Sequence, residues 1–121
     1  MSKLKALGVD EVIVFCVNDG AVMEAWSQDQ GVPTDGLLTM MGDPTGALTK
    51  AMGIELTHPG PAGKGLIGRC KRSATYLVDG EVKHFVIAER ADDPAGDDFP
   101  ETTCAPAMLD VIRELQVKME L

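Results

Sequence analysis

The 121-residue sequence predicts an α/β fold with a mainly parallel sheet. Three observations predict it. Between residues 11 and 53 an apolar strand pattern, a helical pattern, a second strand and a second helix follow one another. A run of strand formers, Ser73–Val78, is joined to Glu81–Ile87 by Asp79-Gly80, the turn dipeptide of a tight hairpin. A helical stripe then closes the chain: Met108, Ile112, Leu115 and Met119 stand at spacings of 4, 3 and 4, with Leu109 beside them.

Composition narrows the class. A chain of this length makes one domain, residues 1–121. With 45% hydrophobic residues but only 4% aromatic, its core must be built from Leu, Val, Ile, Met and Ala. A net charge of −8 without a basic face argues against nucleic acid, whose phosphates require clustered Lys and Arg. No apolar run approaches the roughly 20 residues of a membrane span. The opening MSKLKALG is too short and too charged for a signal peptide, so the expectation is a cytoplasmic protein, with an organelle left open because the N-terminus reads as truncated. Three cysteines without a C-x-x-C pair fit neither a disulfide scaffold nor a standard zinc site. A reducing compartment follows, and no metal or organic cofactor is expected.

Taken in order, Ser2–Leu7 reads as the last turns of a helix, with Leu4 and Leu7 on one face and Gly8 at the left-handed stop. A helix so short does not nucleate alone, which suggests the end of a longer one. Glu11–Val17 is a continuous apolar run, expected to be an internal parallel strand covered on both faces, with Cys16 as a small buried hydrophobe. Asn18 or Asp19 caps a helix of about twelve residues. Its core face is read as Val22, Ala25 and Trp26, and Gly31 and Pro33 end it. Gly36–Met41 is the next strand. Asp43 is expected to cap a helix with Pro44 in its first position, Leu48, Ala51 and Met52 facing inward, and Gly53 at its end.

Thr57–Gly68 is a Gly- and Pro-rich loop whose spacing does not make a phosphate cradle. His58 in that loop and His84 in the hairpin lack metal-ligand spacing and read as surface residues. Arg69, Cys70, Lys71 and Arg72 lead into Ser73–Val78, whose apolar character predicts burial on both faces. In an extended lead-in, Cys70 and Arg72 project to the same side. Glu89–Glu101 is an acidic exposed loop without calcium-loop spacing. The final helix is expected from about Pro106 to Met119, capped by Thr103 and packed on the sheet. Cys104 stands just ahead of it, in polar surroundings at a helix start, and is the best candidate for a reactive thiol.

The stretches VNDGAVMEAW (Val17–Trp26), GDPTGALTKAMGIEL (Gly42–Leu56), RCKRSATYLVDGEVK (Arg69–Lys83) and the closing helix resemble, in order and spacing, the type II or peroxiredoxin-V-like branch of the peroxiredoxins. The resemblance covers the chain from about Leu4 onward. It implies a thioredoxin-like fold, with a mixed sheet flanked by helices, and a thiol peroxidase using a hydroperoxide and a thiol reductant. It implies that Arg72 is the arginine that favours the peroxidatic thiolate and hydrogen-bonds the peroxide, and that Cys104 is a resolving cysteine. Ser73 departs from the aromatic the family usually carries there, and the loop before Cys104 is longer than usual. The P-x-x-x-T-x-x-C motif of the peroxidatic cysteine is not in these residues. Cys70 is a surrogate thiol only in a minor reading.

The expectation is therefore an N-terminally truncated fold whose two apolar strands lack a central neighbour. Such edges favour direct pairing of the two strands, a homodimer, or a peroxiredoxin-like partner. Three functions follow: a peroxidase inactive as this chain alone, a non-catalytic redoxin-derived binding or dimerisation subunit, and a part of a complete peroxiredoxin.

Overall fold

The computed structural model describes residues 2–57, 63, 68–89 and 99–120. They fall into two compact units, Met1–Cys70 and Lys71–Leu121. The loop containing His58 and the acidic segment at 90–98 lie outside the described residues.

The first unit runs α1 (Ser2–Ala6), β1 (Val12–Cys16), α2 (Gly20–Asp29), β2 (Leu38–Gly42) and α3 (Ala47–Ala51). β1 and β2 pair in parallel, from Val12 opposite Leu38 to Cys16 opposite Gly42. This is the β-helix-β order expected from the sequence. Asp19 is the α2 cap: its carboxylate accepts the Val22 N–H at 2.9 Å. Gly8, Gly31 and Gly53 follow the three helices as predicted, each with positive φ.

Three readings of this half are corrected. β1 is not covered on both faces, since Ile13 is 52% exposed and β2 is its one ladder partner among the described residues. A continuous apolar run records what a strand tolerates, not how many neighbours it has. The inward face of α2 is Met23, 1% exposed, whereas Val22, Ala25 and Trp26 are exposed. α2 lies against β2, and one long flexible thioether fills that contact better than the wider stripe beside it. Finally, Pro44 is not in α3. The Gly46 N–H bonds the Asp43 carbonyl at 3.0 Å, closing a turn over Asp43–Gly46. Gly46 then caps α3 with φ 71°, a left-handed conformation that glycine adopts without penalty. α3 accordingly turns Thr49 inward, while Leu48 and Ala51 are exposed and Met52 half-buried. Ile54 and Leu56, just beyond it, complete the core with Met23.

The second unit is the hairpin β3 (Ser73–Val78) and β4 (Glu81–Ile87), a 3₁₀ turn (Glu101–Thr103) and α4 (Ala105–Glu120). Asp79 and Gly80 both have positive φ, 52° and 79°, as a type I′ turn requires. Pairing runs from Ser73 opposite Ile87 to Val78 opposite Glu81, with an irregularity between Tyr76 and Leu77. β3 is half-buried rather than buried on both faces, and Leu77 is exposed, because an antiparallel hairpin keeps one side wet. His84 is half-buried opposite Tyr76. Of the α4 stripe, Leu109 and Ile112 are buried, Met108 and Leu115 half-buried, and Met119 exposed. Thr103 does not cap α4. Its hydroxyl donates to the Pro100 carbonyl at 2.8 Å, and Cys104 takes the cap position, its carbonyl accepting the Met108 N–H at 3.1 Å.

Candidate functional site

The chemistry-bearing residues fall in both units. In the second, Arg72 immediately precedes β3. Its carbonyl accepts the Ala88 N–H at 2.9 Å, which extends the hairpin ladder one step past Ser73–Ile87. On its other side Lys71, little exposed, pairs with Glu89 at 3.0 Å. The backbone at Arg72 is thus clasped to the segment that continues β4, through Ala88 and, one residue back at Lys71, Glu89, and the guanidinium leaves from a fixed origin. Cys104 is exposed and stands between the 3₁₀ turn and α4. The 3₁₀ turn lies against β4, so the hairpin supports the start of the helix that carries this thiol.

Cys70 belongs to the first unit. It does not continue β3. It forms an isolated antiparallel bridge with Glu55, reinforced by the Leu56 N–H donating to the Arg69 carbonyl at 2.7 Å. Cys16 ends β1, half-buried, and its carbonyl accepts the N–H groups of Asn18 and Asp43, each at 2.8 Å. Burial pushes the Cys16 thiol up. Neighbouring Cys70 pushes it further, and the Arg69 guanidinium pulls the other way.

A cleft of about 210 Å³ opens beside these residues, lined by Val17, Pro44, Gly46, Lys50, Glu55 and Gly68. Thr49, also in its lining, belongs to a polar cluster that sequence reading missed. The Asp43 carboxylate, 7% exposed, accepts the Leu48 N–H at 3.1 Å. It also accepts the Thr49 N–H at 2.9 Å and the Thr49 hydroxyl at 2.8 Å. These bonds, the Thr49 N–H first, hold the Asp43 carboxyl below the usual carboxylate range. The Asp-Pro-Thr-Gly sequence was the available signal, since glycine after such a turn reads as a delayed helix start. No group of three or more His, Cys, Asp and Glu suited to a metal ion occurs among the described residues. None of their helices is long and apolar enough to cross a membrane.

The sequence matches the redoxin family model over residues 1–103. Peroxiredoxin-2E, a chloroplastic protein of Arabidopsis thaliana, is 37% identical over 88 residues, which are 72% of this chain and 36% of that protein. Peroxiredoxin-2B of the same plant is 39% identical over 77 residues, 64% of this chain and 44% of that one. Among solved structures, reduced Prx3 of Vibrio vulnificus in complex with H₂O₂ superposes with a TM-score of 0.75 at 29% identity. That superposition covers 95% of this chain and 63% of the other. The chain thus spans less than half the length of the two plant relatives.

Proposed function

We propose, from the premise that the chain belongs to the redoxin family and to its type II peroxiredoxin branch, that it supplies the arginine and the resolving thiol of a hydroperoxide-reducing thiol peroxidase. In that reaction a peroxidatic thiolate attacks one peroxide oxygen, the O–O bond breaks, and an alcohol or water leaves. The resulting sulfenic acid is attacked by a second thiol, water leaves, and a disulfide remains for a thiol reductant to open. Arg72 holds the peroxide and steadies negative charge on the departing oxygen, a task that suits a planar guanidinium. Cys104 is the second thiol. Cys70 takes no primary role.

The observation that carries this reading is the clasp at Arg72, whose backbone the Ala88 bond fixes at the base of the hairpin. A donor that must meet a short-lived oxyanion gains from a fixed origin. The relative in complex with H₂O₂ supports hydrogen peroxide as the substrate class. A reducing compartment belongs to the proposal, in keeping with an odd number of cysteines, three, without a C-x-x-C pair. So does a homodimer or a peroxiredoxin-like partner, which the exposed Ile13 and Leu77 side chains favour. The same exposure favours a second reading, a non-catalytic subunit that docks on such a partner.

The test is a thiol-coupled peroxide assay on two proteins. The 121-residue chain alone is expected to show no turnover, because it carries no P-x-x-x-T-x-x-C segment. A polypeptide with such a segment fused ahead of it is expected to turn over, and Arg72→Lys in that protein to lower the rate by about 100-fold. Ordinary peroxidase rates from the chain alone, or an Arg72→Lys variant as fast as its parent, overturn the assignment. Should weak activity appear in the chain alone, Cys70→Ser decides whether Cys70 is its source.

A further inference from the structure

The first unit holds a second pair of thiols that the peroxidase reading does not use. β1 delivers Cys16 at its last position, opposite Gly42. The Glu55–Cys70 bridge brings the other thiol to the same region from a remote part of the sequence. Val17, next to Cys16, shares the wall of the 210 Å³ cleft with Glu55 and Gly68, from the bridged segments. Both cysteines are half-buried, and Arg69 stands beside Cys70 in sequence. Cys70 also contributes to the raised Cys16 value, and Arg69 opposes it.

We propose that Cys16 and Cys70 are a redox-active thiol pair that closes to an intramolecular disulfide on reaction with a small-molecule disulfide such as oxidised glutathione. Cys70 is the entry point. It sits outside the ladder of β3, whereas Cys16 is held back by its raised thiol value. Cys16, kept protonated by burial, is the slower nucleophile and acts second. The Cys70 thiolate attacks one sulfur of the small disulfide, that S–S bond breaks, and one thiolate leaves. Cys16 then loses its proton and attacks the Cys70 sulfur of the mixed disulfide, releasing the second thiolate. Two protein thiols are oxidised and one disulfide is reduced to two thiols. Neither step needs a peroxide or a peroxidatic cysteine, so this inference stands or falls apart from the peroxidase reading.

The test incubates the 121-residue protein with excess oxidised glutathione, followed by intact-mass analysis and peptide mapping without reduction. The expected product links the Cys16 and Cys70 peptides by a disulfide, with two hydrogens lost at that pair and any glutathione adduct confined to exposed Cys104. Cys16→Ser is expected to trap the glutathione adduct on Cys70, with a lifetime at least about tenfold that in the parent. Cys70→Ser is expected to leave Cys16 free. Circular dichroism on both variants, with Cys16→Ala as a second replacement, verifies that the fold is kept. A long-lived adduct on Cys70 in the parent, a Cys70 that never reacts, or a link that includes Cys104 overturns the proposal.

Discussion

Asp43 and Thr49 show what a single carboxylate contributes in this fold. Asp43 takes three hydrogen bonds from the first turn of α3, although it stands four positions ahead of Ala47. Thr49→Val keeps the shape and removes the hydroxyl that Asp43 needs. Thr49 is 1% exposed, so water cannot replace the bond. The expected loss is about 2 kcal/mol, read as a lower urea midpoint with unchanged slope. An unchanged midpoint would remove the network from the stability argument. The pH dependence follows from the depressed Asp43 value. Its stabilisation is complete above the unfolded value of about 3.9 and is lost as pH falls through the lower folded value. Thermal melts of Asp43→Asn should therefore start lower at neutral pH and fall less steeply on acidification than those of the parent. At the same scale, alkylation of the native protein should label Cys104 first and Cys16 last, because Cys104 is exposed and Cys16 is half-buried with a raised thiol. Early labelling of Cys16 would reverse that order.

The elements differ in how far the sequence alone exposes them. The hairpin was legible to the residue, because its boundaries rest on local chemistry: two strand runs and a dipeptide that accepts positive φ twice. Gly80→Ala tests this directly. Added Cβ atoms meet nothing within 4 Å there, so the cost isolates the backbone at φ 79°. About 1 kcal/mol of destabilisation is expected in urea titration. A neutral result would show the turn relaxing to another type. The facing of α2 was not legible. Val22 and Trp26 make the broader apolar stripe, but the strand beneath selects Met23, and that choice is made by β2 rather than by the helix. The start of α3 was missed because Asp-Pro looks like a cap and a first helical residue; Gly46 three positions on defers the helix. The position of Arg72 at the base of the hairpin was legible because the hairpin's register was. The pairing of Cys70 with Glu55 was hidden, since no local pattern announces an isolated bridge between distant segments.

For the molecule as a whole, the open question is what covers the apolar strands. β1 and β3 each have one ladder partner among the described residues, and each shows an exposed apolar side chain, Ile13 and Leu77. Unmet backbone groups cost about 1–3 kcal/mol apiece when buried without partners, so association is favoured wherever such an edge is excluded from water. The net charge of −8 opposes it at long range. Sedimentation velocity at micromolar concentration is therefore expected to show a dimer that strengthens as salt screens the repulsion. A cooperative monomer at every ionic strength would exclude self-association. The two registers also impose an order in time. Val78 meets Glu81 across a two-residue turn, whereas Val12 must wait for Leu38, with all of α2 between them. Closing the longer loop costs about 2 kcal/mol more in chain entropy. The hairpin that anchors Arg72 can thus form on the microsecond scale of isolated hairpins, while the parallel pair that carries Cys16 gains its contacts later. A nascent chain faces the reverse schedule, since the slow-pairing strands leave the ribosome first and stay open until the residues around Gly42 have followed.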